Sequence, residues 1–263
     1  LSLSLSESLS LCLTLYIYIP GSRAQLAEHA GGSGAAISLL EASVRCFQAV
    51  LAQPPQDPPI DVDALCELSA ALLELARLTS VLATPSAHDV AARMARVEGL
   101  VAEAAERCGA VEVLEPTRLE DIMELRMDIA RLTSGCCSAT PTSAAAVEAW
   151  SGAAIACQRT AAEAQLQGQQ GRELAACAVY NAACVAALRS PVDEATAAAC
   201  LSSAVDMALA ARSVAEAHRS ETYESAFVSV ADLQEDRDLE AVRGCAWFEE
   251  LIAQLQVGGA SGS

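Results

Sequence analysis

The sequence contains no lysine: all 16 basic residues are arginine, and Asn181 is the only asparagine. No side-chain ammonium is on hand for a Schiff base, for the phosphate contact of a P-loop or for ubiquitin attachment. Both scarce residue types use A-rich codons, so the bias points to a GC-rich genome. Aromatic residues make up only 3% of the chain, and with β-branched residues also thin there is little from which to build strands. Histidine is limited to His29, His88 and His218, and no C-x-x-C pair occurs, which leaves no paired ligand spacing for zinc. The glycine fingerprints of dinucleotide and nucleotide binding, the G-x-S-x-G elbow and the H-E-x-x-H helix are all missing. Basic charge is scarce as well. Sixteen arginines against 34 acidic residues give a net charge of -18, which repels phosphate backbones and anionic lipid heads and excludes nucleic acid and membrane surfaces as partners. No segment after the first twenty residues approaches the length of a membrane span.

What is present is aliphatic. Of 263 residues, 53% are hydrophobic and about a fifth are alanine, the strongest helix former, so the expected fold class is all-α. The 11 cysteines do not read as a disulfide framework. Cys46, Cys66, Cys108, Cys157, Cys177, Cys184, Cys200 and Cys245 fall singly in Ala-rich helical segments, where thiols serve as small hydrophobes in a reducing compartment. The vicinal Cys136-Cys137 lies in an expected loop, as two ordinary thiols or as a redox pair. Residues 1–33 begin with alternating Leu-Ser and Tyr-Ile, the translation of simple dinucleotide repeats, and are expected to be a disordered or non-native leader. The tail 257–263 is too small and polar to pack.

Between these ends the 3.6-residue periodicity and the proline and glycine breaks place helices at 35–52, from Asp61 with the stripe Leu65, Leu68, Leu72, Leu75 and Leu78, and at about 87–108, 118–134, 142–167, 171–189 and 192–219. An internal repeat runs through them. Ala76-Arg77-Leu78-Thr79-Ser80 recurs as Ala130-Arg131-Leu132-Thr133-Ser134, each followed by an Ala-Thr-Pro loop and a further helix. A shorter third copy is Ala187-Leu188-Arg189-Ser190-Pro191. Units at about 61–108, 118–167 and 171–219, with a cap at 232–256, would form a single helical-repeat domain over 35–256. None of these hairpins can bury its apolar face alone, so they must stack as an α-solenoid.

Tyr180-Asn181-Ala182-Ala183-Cys184, followed by Ala197, Leu201, Ala204 and Val205, resembles the closing unit of a tetratricopeptide repeat group. Asp232-Leu233, Asp236, Asp238-Leu239, Val242-Arg243, Phe248 and Leu251 are similar to the cap that follows such a unit. The resemblance implies a non-enzymatic scaffold whose first helices line a groove for a protein or peptide, with Arg77, Glu124, Arg131, Tyr180 and Asn181 near it. The simple-repeat leader and GC-rich bias fit a eukaryotic alga, where the resemblance further implies a subunit or assembly factor of a larger complex, organellar and photosynthetic or respiratory. Family clamps for Hsp70 or Hsp90 tails use lysine, so those tails are not expected as partners. No catalytic, cofactor or metal residues are assigned under this reading. The rival is an all-helical metal-dependent enzyme that uses the acidic cluster Glu120, Asp121, Glu124 and Asp128. Trp247 and Phe248, with Leu239, Val242 and Leu251, are expected to close the core of the last unit.

Overall fold

The structure is a computed structural model that describes residues 33–52, 62–81, 87–136, 144–167, 171–217 and 228–260. Expectations for the leader up to residue 32, the Ala-Thr-Pro loops, Cys137, His29 and His218 lie outside the described residues. The chain divides into two compact units, Leu1–Thr140 and Pro141–Ser263. Among the described residues there is no strand, and within each unit consecutive helices pack on one another in the manner of a helical-repeat solenoid.

The first unit holds α1 (Ser33–Leu51), α2 (Val62–Ser80), α3 (Ala87–Leu114) and α4 (Leu119–Cys136). Helix α2 is its centre, packed against α1, α3 and α4. The expected stripe Leu65, Leu68, Leu72, Leu75 and Leu78 is buried throughout. So are Ala64, Ser69, Ala71, Leu73, Glu74, Ala76 and Thr79, and α2 is therefore enclosed on most of its circumference rather than along one face. Its polar groups inside this core need partners. Ser69 donates to the Leu65 carbonyl at 2.8 Å, and Glu74 receives both arms of Arg77.

Helix α3 runs through Gly109 to Leu114, six residues past the expected end. Cys108 and Val111 are fully buried there, and Glu112 accepts a two-armed contact from Arg126 of α4 at 2.9 and 2.8 Å. Those contacts outweigh the cost of one internal glycine, about 1 kcal/mol. The helix stops before Pro116, which cannot donate to it.

Helix α1 contains a stretch, Gly34–Leu51, long and apolar enough by length and composition to cross a membrane, with 28% of that window buried. This corrects the expectation that no such stretch follows the first twenty residues; Glu41 and Arg45 interrupt the run and hide it. Ala36, Leu40, Val44 and Phe47 are buried as α1 packs on α2. Across to α3, Glu41 pairs with Arg96 and Gln48 donates to Glu103 at 2.9 Å. These contacts seat one face of α1 on the unit and leave most of the helix partly or fully exposed.

The second unit holds α5 (Ala144–Leu166), α6 (Arg172–Leu188), α7 (Glu194–Ala217), the short α8 (Val230–Glu235), a 3-10 turn over Arg237–Val242 and α9 (Ala246–Ala260). Helix α6 packs between α5 and α7, and alanine dominates its buried residues: Ala175, Ala176, Ala178, Ala183, Ala186 and Ala187. Small side chains let neighbouring helix axes approach closely, which is how an Ala-rich chain builds a dense core with few aromatics. Helix α9 continues to Ala260, through residues that composition assigns to the tail.

Candidate functional site

Two constellations follow from the sequence, a charged face on α2 and α4 and an anchor beneath the C-terminal cap. On α2 and α4 the repeat is longer than the five-residue match, since Glu74-Leu75-Ala76-Arg77-Leu78-Thr79-Ser80 corresponds to Asp128-Ile129-Ala130-Arg131-Leu132-Thr133-Ser134. Each copy closes its helix in the same way. Ala76 and Ala130 are fully buried, Arg77 and Arg131 are exposed, and each arginine pairs with the acid three residues before it. Arg77 holds Glu74 through Nε at 2.8 Å and Nη2 at 2.5 Å, while Arg131 reaches Asp128 at 3.1 Å. The five-residue match omits these acids, although an acid at i−3 from each arginine is visible in the sequence.

The two copies also meet, because α2 packs on α4. The hydrogen bonds to Glu74 raise the Arg77 pKa above its ordinary value against the opposing effect of burial, and the charges of Glu74 and Asp128 add to the rise. Glu74, Arg77, Asp128 and Arg131 thus form one alternating-charge ladder across two helices, with exposed Glu124 one turn before Asp128. The copies differ inside. Thr133 donates to the Ile129 carbonyl at 2.7 Å, whereas the buried Thr79 hydroxyl has no hydrogen-bond partner among the described residues.

The acidic cluster of the rival reading does not converge. Glu120 and Glu124 are exposed, Asp121 receives Arg118 at 2.7 Å and Asp128 receives Arg131. Among the described residues no three His, Cys, Asp or Glu side chains are grouped so that they could hold a metal ion. The thiols nearby are protonated at neutral pH: burial pushes both Cys66 and Cys108 up to about 11, which leaves them poor nucleophiles.

Tyr180 and Asn181 belong to the second unit, away from the ladder in sequence and in compact unit. The half-buried Tyr180 turns its hydroxyl to the cap and donates to Asp236 Oδ2 at 2.8 Å. Asp236 serves three further donors there. Its Oδ2 also accepts from the Cys184 thiol at 3.7 Å, its Oδ1 accepts the Asp238 N–H at 2.9 Å to start the 3-10 turn, and its carbonyl accepts from Arg243. Asn181 Nδ2 contacts Cys177 Sγ at 3.8 Å. Immediately before this hub, Ser229 and Asp232 form a reciprocal capping box at the start of α8. The arrangement is a polar clasp that fixes the register of the cap on α6, and tyrosine at 180 supports it from within the fold.

Burial, followed by the Cys184 charge, the Asp236 hydrogen bond and the Asp236 charge, raises the Tyr180 pKa well above the phenol range. A raised folded-state pKa contributes stability below the unfolded value and loses it as pH rises. Burial likewise raises Cys66 and Cys108. Stability should therefore hold through neutral pH, begin to fall above about pH 9 as unfolded thiols ionise, and fall more steeply above about pH 10, where an unfolded tyrosine ionises and the native Tyr180 does not. Thermal melts of the parent and of Tyr180→Phe across pH 8–11 check this. The variant should lose the steeper phase and keep the thiol phase; a steeper phase of equal size in both proteins would remove Tyr180 as its source. In comparisons with known proteins, no family model, no curated protein and no solved structure matches the chain.

Proposed function

We propose that the protein is a non-enzymatic interaction scaffold, a divergent tetratricopeptide-like array that acts as a subunit or assembly factor of a larger complex, in keeping with the organellar setting expected from the sequence. The observation that supports this reading is the twin heptapeptide on α2 and α4, which leaves Arg77 and Arg131 exposed at matched helical positions, with Asp128 near enough for its charge to act on Arg77. Repeated units with a shared outward-facing register are how helical arrays present an extended recognition surface. Surface ion pairs contribute little to stability, with a median of about 0–1 kcal/mol, so the ladder is better suited to selecting a partner by charge pattern than to holding the fold. Glu124 extends the same face by one turn.

Affinity purification of the full chain from its source cell, with identification of co-purifying proteins, tests the proposal. A defined set of partners that is lost when Arg77 and Arg131 are both replaced by Glu supports it. Metal analysis supplies the opposite outcome: stoichiometric iron or manganese in the purified protein would sink the scaffold in favour of a metal-dependent enzyme.

A further inference from the structure

The third copy of the repeat, Ala187-Leu188-Arg189-Ser190-Pro191, departs from the first two in a way that creates a site. Arg77 and Arg131 each have an acid at i−3, but the equivalent position before Arg189 is Ala186. Arg189 is half-buried and makes no ion pair among the described residues. It lines an open groove of about 460 Å³ within the second unit, between the first turns of α5 and the α6–α7 connection. That volume lies within the range of about 300–1,000 Å³ usual for ligand sites.

Val147, Trp150, Pro191 and Val192 give the groove its apolar lining, Ser190 and Asp193 add polar groups, and Arg189 is its one cation. Trp150, 4% exposed, lines it together with Pro191 and the more exposed Val147 and Val192, at 45% and 38%. The carboxylate in the lining, Asp193, is occupied: Oδ1 accepts the Thr196 N–H at 3.1 Å and Oδ2 accepts the Thr196 hydroxyl at 2.8 Å. Those bonds, more than the Arg189 charge, hold the Asp193 pKa below its ordinary value. Asp193 therefore tempers the local charge without using the guanidinium donors.

We infer that this groove docks a segment of a partner protein in which an acidic side chain adjoins a branched aliphatic one, the carboxylate on Arg189 and the aliphatic group over Trp150 between Val147 and Val192. A guanidinium offers a planar fork that matches one carboxylate bidentately. A single such fork suits an acidic side chain, whereas a chain-terminal carboxylate is ordinarily held by several donors. The inference rests on the scaffold reading and supplies one of its recognition sites.

Fluorescence-polarisation titrations of the full chain with N-acetylated, C-amidated peptides test it, using a Glu-Val-Leu core and its Gln-Val-Leu twin. The Glu peptide should bind about tenfold more tightly, in line with one charge-assisted contact. Arg189→Gln should erase the difference with helicity unchanged, and Arg189→Glu should transfer the preference to an Arg-Val-Leu peptide. Equal binding of the Glu and Gln peptides by the parent, or binding of neither at millimolar concentration, overturns the inference. A Gln-Val-Leu peptide with a free C-terminus that matches the Glu peptide overturns it in favour of chain-terminal carboxylates. Self-association of the parent that Arg189→Gln abolishes overturns it in favour of a second copy. If cellular partners co-purify equally with parent and Arg189→Gln, the groove fails and the scaffold reading stands. If no chain co-purifies with the parent, the scaffold reading fails and the peptide titration still decides the groove.

Discussion

Phe248→Ala is expected to destabilise the second unit by about 3–5 kcal/mol, a large share of a typical stability of ~5–15 kcal/mol. Phe248 is 1% exposed, and Leu239, Val242 and Leu251 are buried around the same cap, where the 3-10 turn packs on α6 and α9 packs on α7. Here the cap covers α6 and α7 with the apolar surface that a further helix pair would otherwise supply. Removing the phenyl ring leaves a cavity that these short elements have little means to close. Trp247 behaves differently from the sequence expectation that both aromatics are buried. It is half-buried and meets Phe248 edge-on, with ring centroids 5.8 Å apart and planes at 71°. Trp247→Ala should cost only about 1–2 kcal/mol, from partial burial and the lost ring contact. Both tryptophans, Trp150 and Trp247, lie in the second unit, so tryptophan fluorescence follows that unit alone in denaturant. A midpoint for Phe248→Ala indistinguishable from the parent's would show that the aromatic pair is a surface feature rather than the closure of the core.

The contrast between neighbouring aromatics shows where sequence alone is informative. Helix positions are legible because alanine runs and proline breaks act locally: the starts of α3 to α7 fall within two residues of expectation. The stripe on α2 is legible for the same reason, since leucines every three or four residues share a face. Its enclosure by three neighbours is not, because Ala71, Leu73 and Ala76 look equally suited to a boundary position. Tyr180 is the clearest case at the candidate site. Sequence places it in a signature shared with partner-facing positions, yet its hydroxyl meets Asp236, 56 residues later, and no local periodicity encodes so distant a pairing. Arg189 is the converse. The missing acid at position 186 is visible in the sequence, but only the fold puts Trp150 and Val147 beside it.

Two glycines that look alike in sequence should respond to alanine with opposite signs, because only one of them has space for a methyl group. Gly171 is buried at the start of α6, where a Cβ would stand 1.9 Å from the Ala164 carbonyl oxygen and 2.7 Å from its carbon. Those atoms belong to the α5 backbone and cannot rotate aside, so the end of α5 and the first turn of α6 would have to separate. Gly171 has ordinary right-handed backbone angles, φ −86° and ψ −4°, and the requirement is therefore for close approach rather than for conformational freedom. Overpacking of this kind costs about 1–3 kcal/mol, and Gly171→Ala should lower the denaturation midpoint of the second unit read by tryptophan fluorescence. Gly109 lies inside α3, and a methyl group added there would have nothing within 4 Å beyond its own helix backbone and chain neighbours. There alanine removes backbone freedom from the unfolded chain and adds no clash, so Gly109→Ala should stabilise the first unit by about 0.5–1 kcal/mol. The first unit contains no tryptophan, so its transition is read as the part of the far-UV circular-dichroism unfolding curve that remains after the second unit's transition, fixed by tryptophan fluorescence, is subtracted. Equal midpoint shifts of the same sign in both variants would mean that helix propensity, not the α5–α6 approach, decides the response, and the tight junction at Gly171 would have to be abandoned.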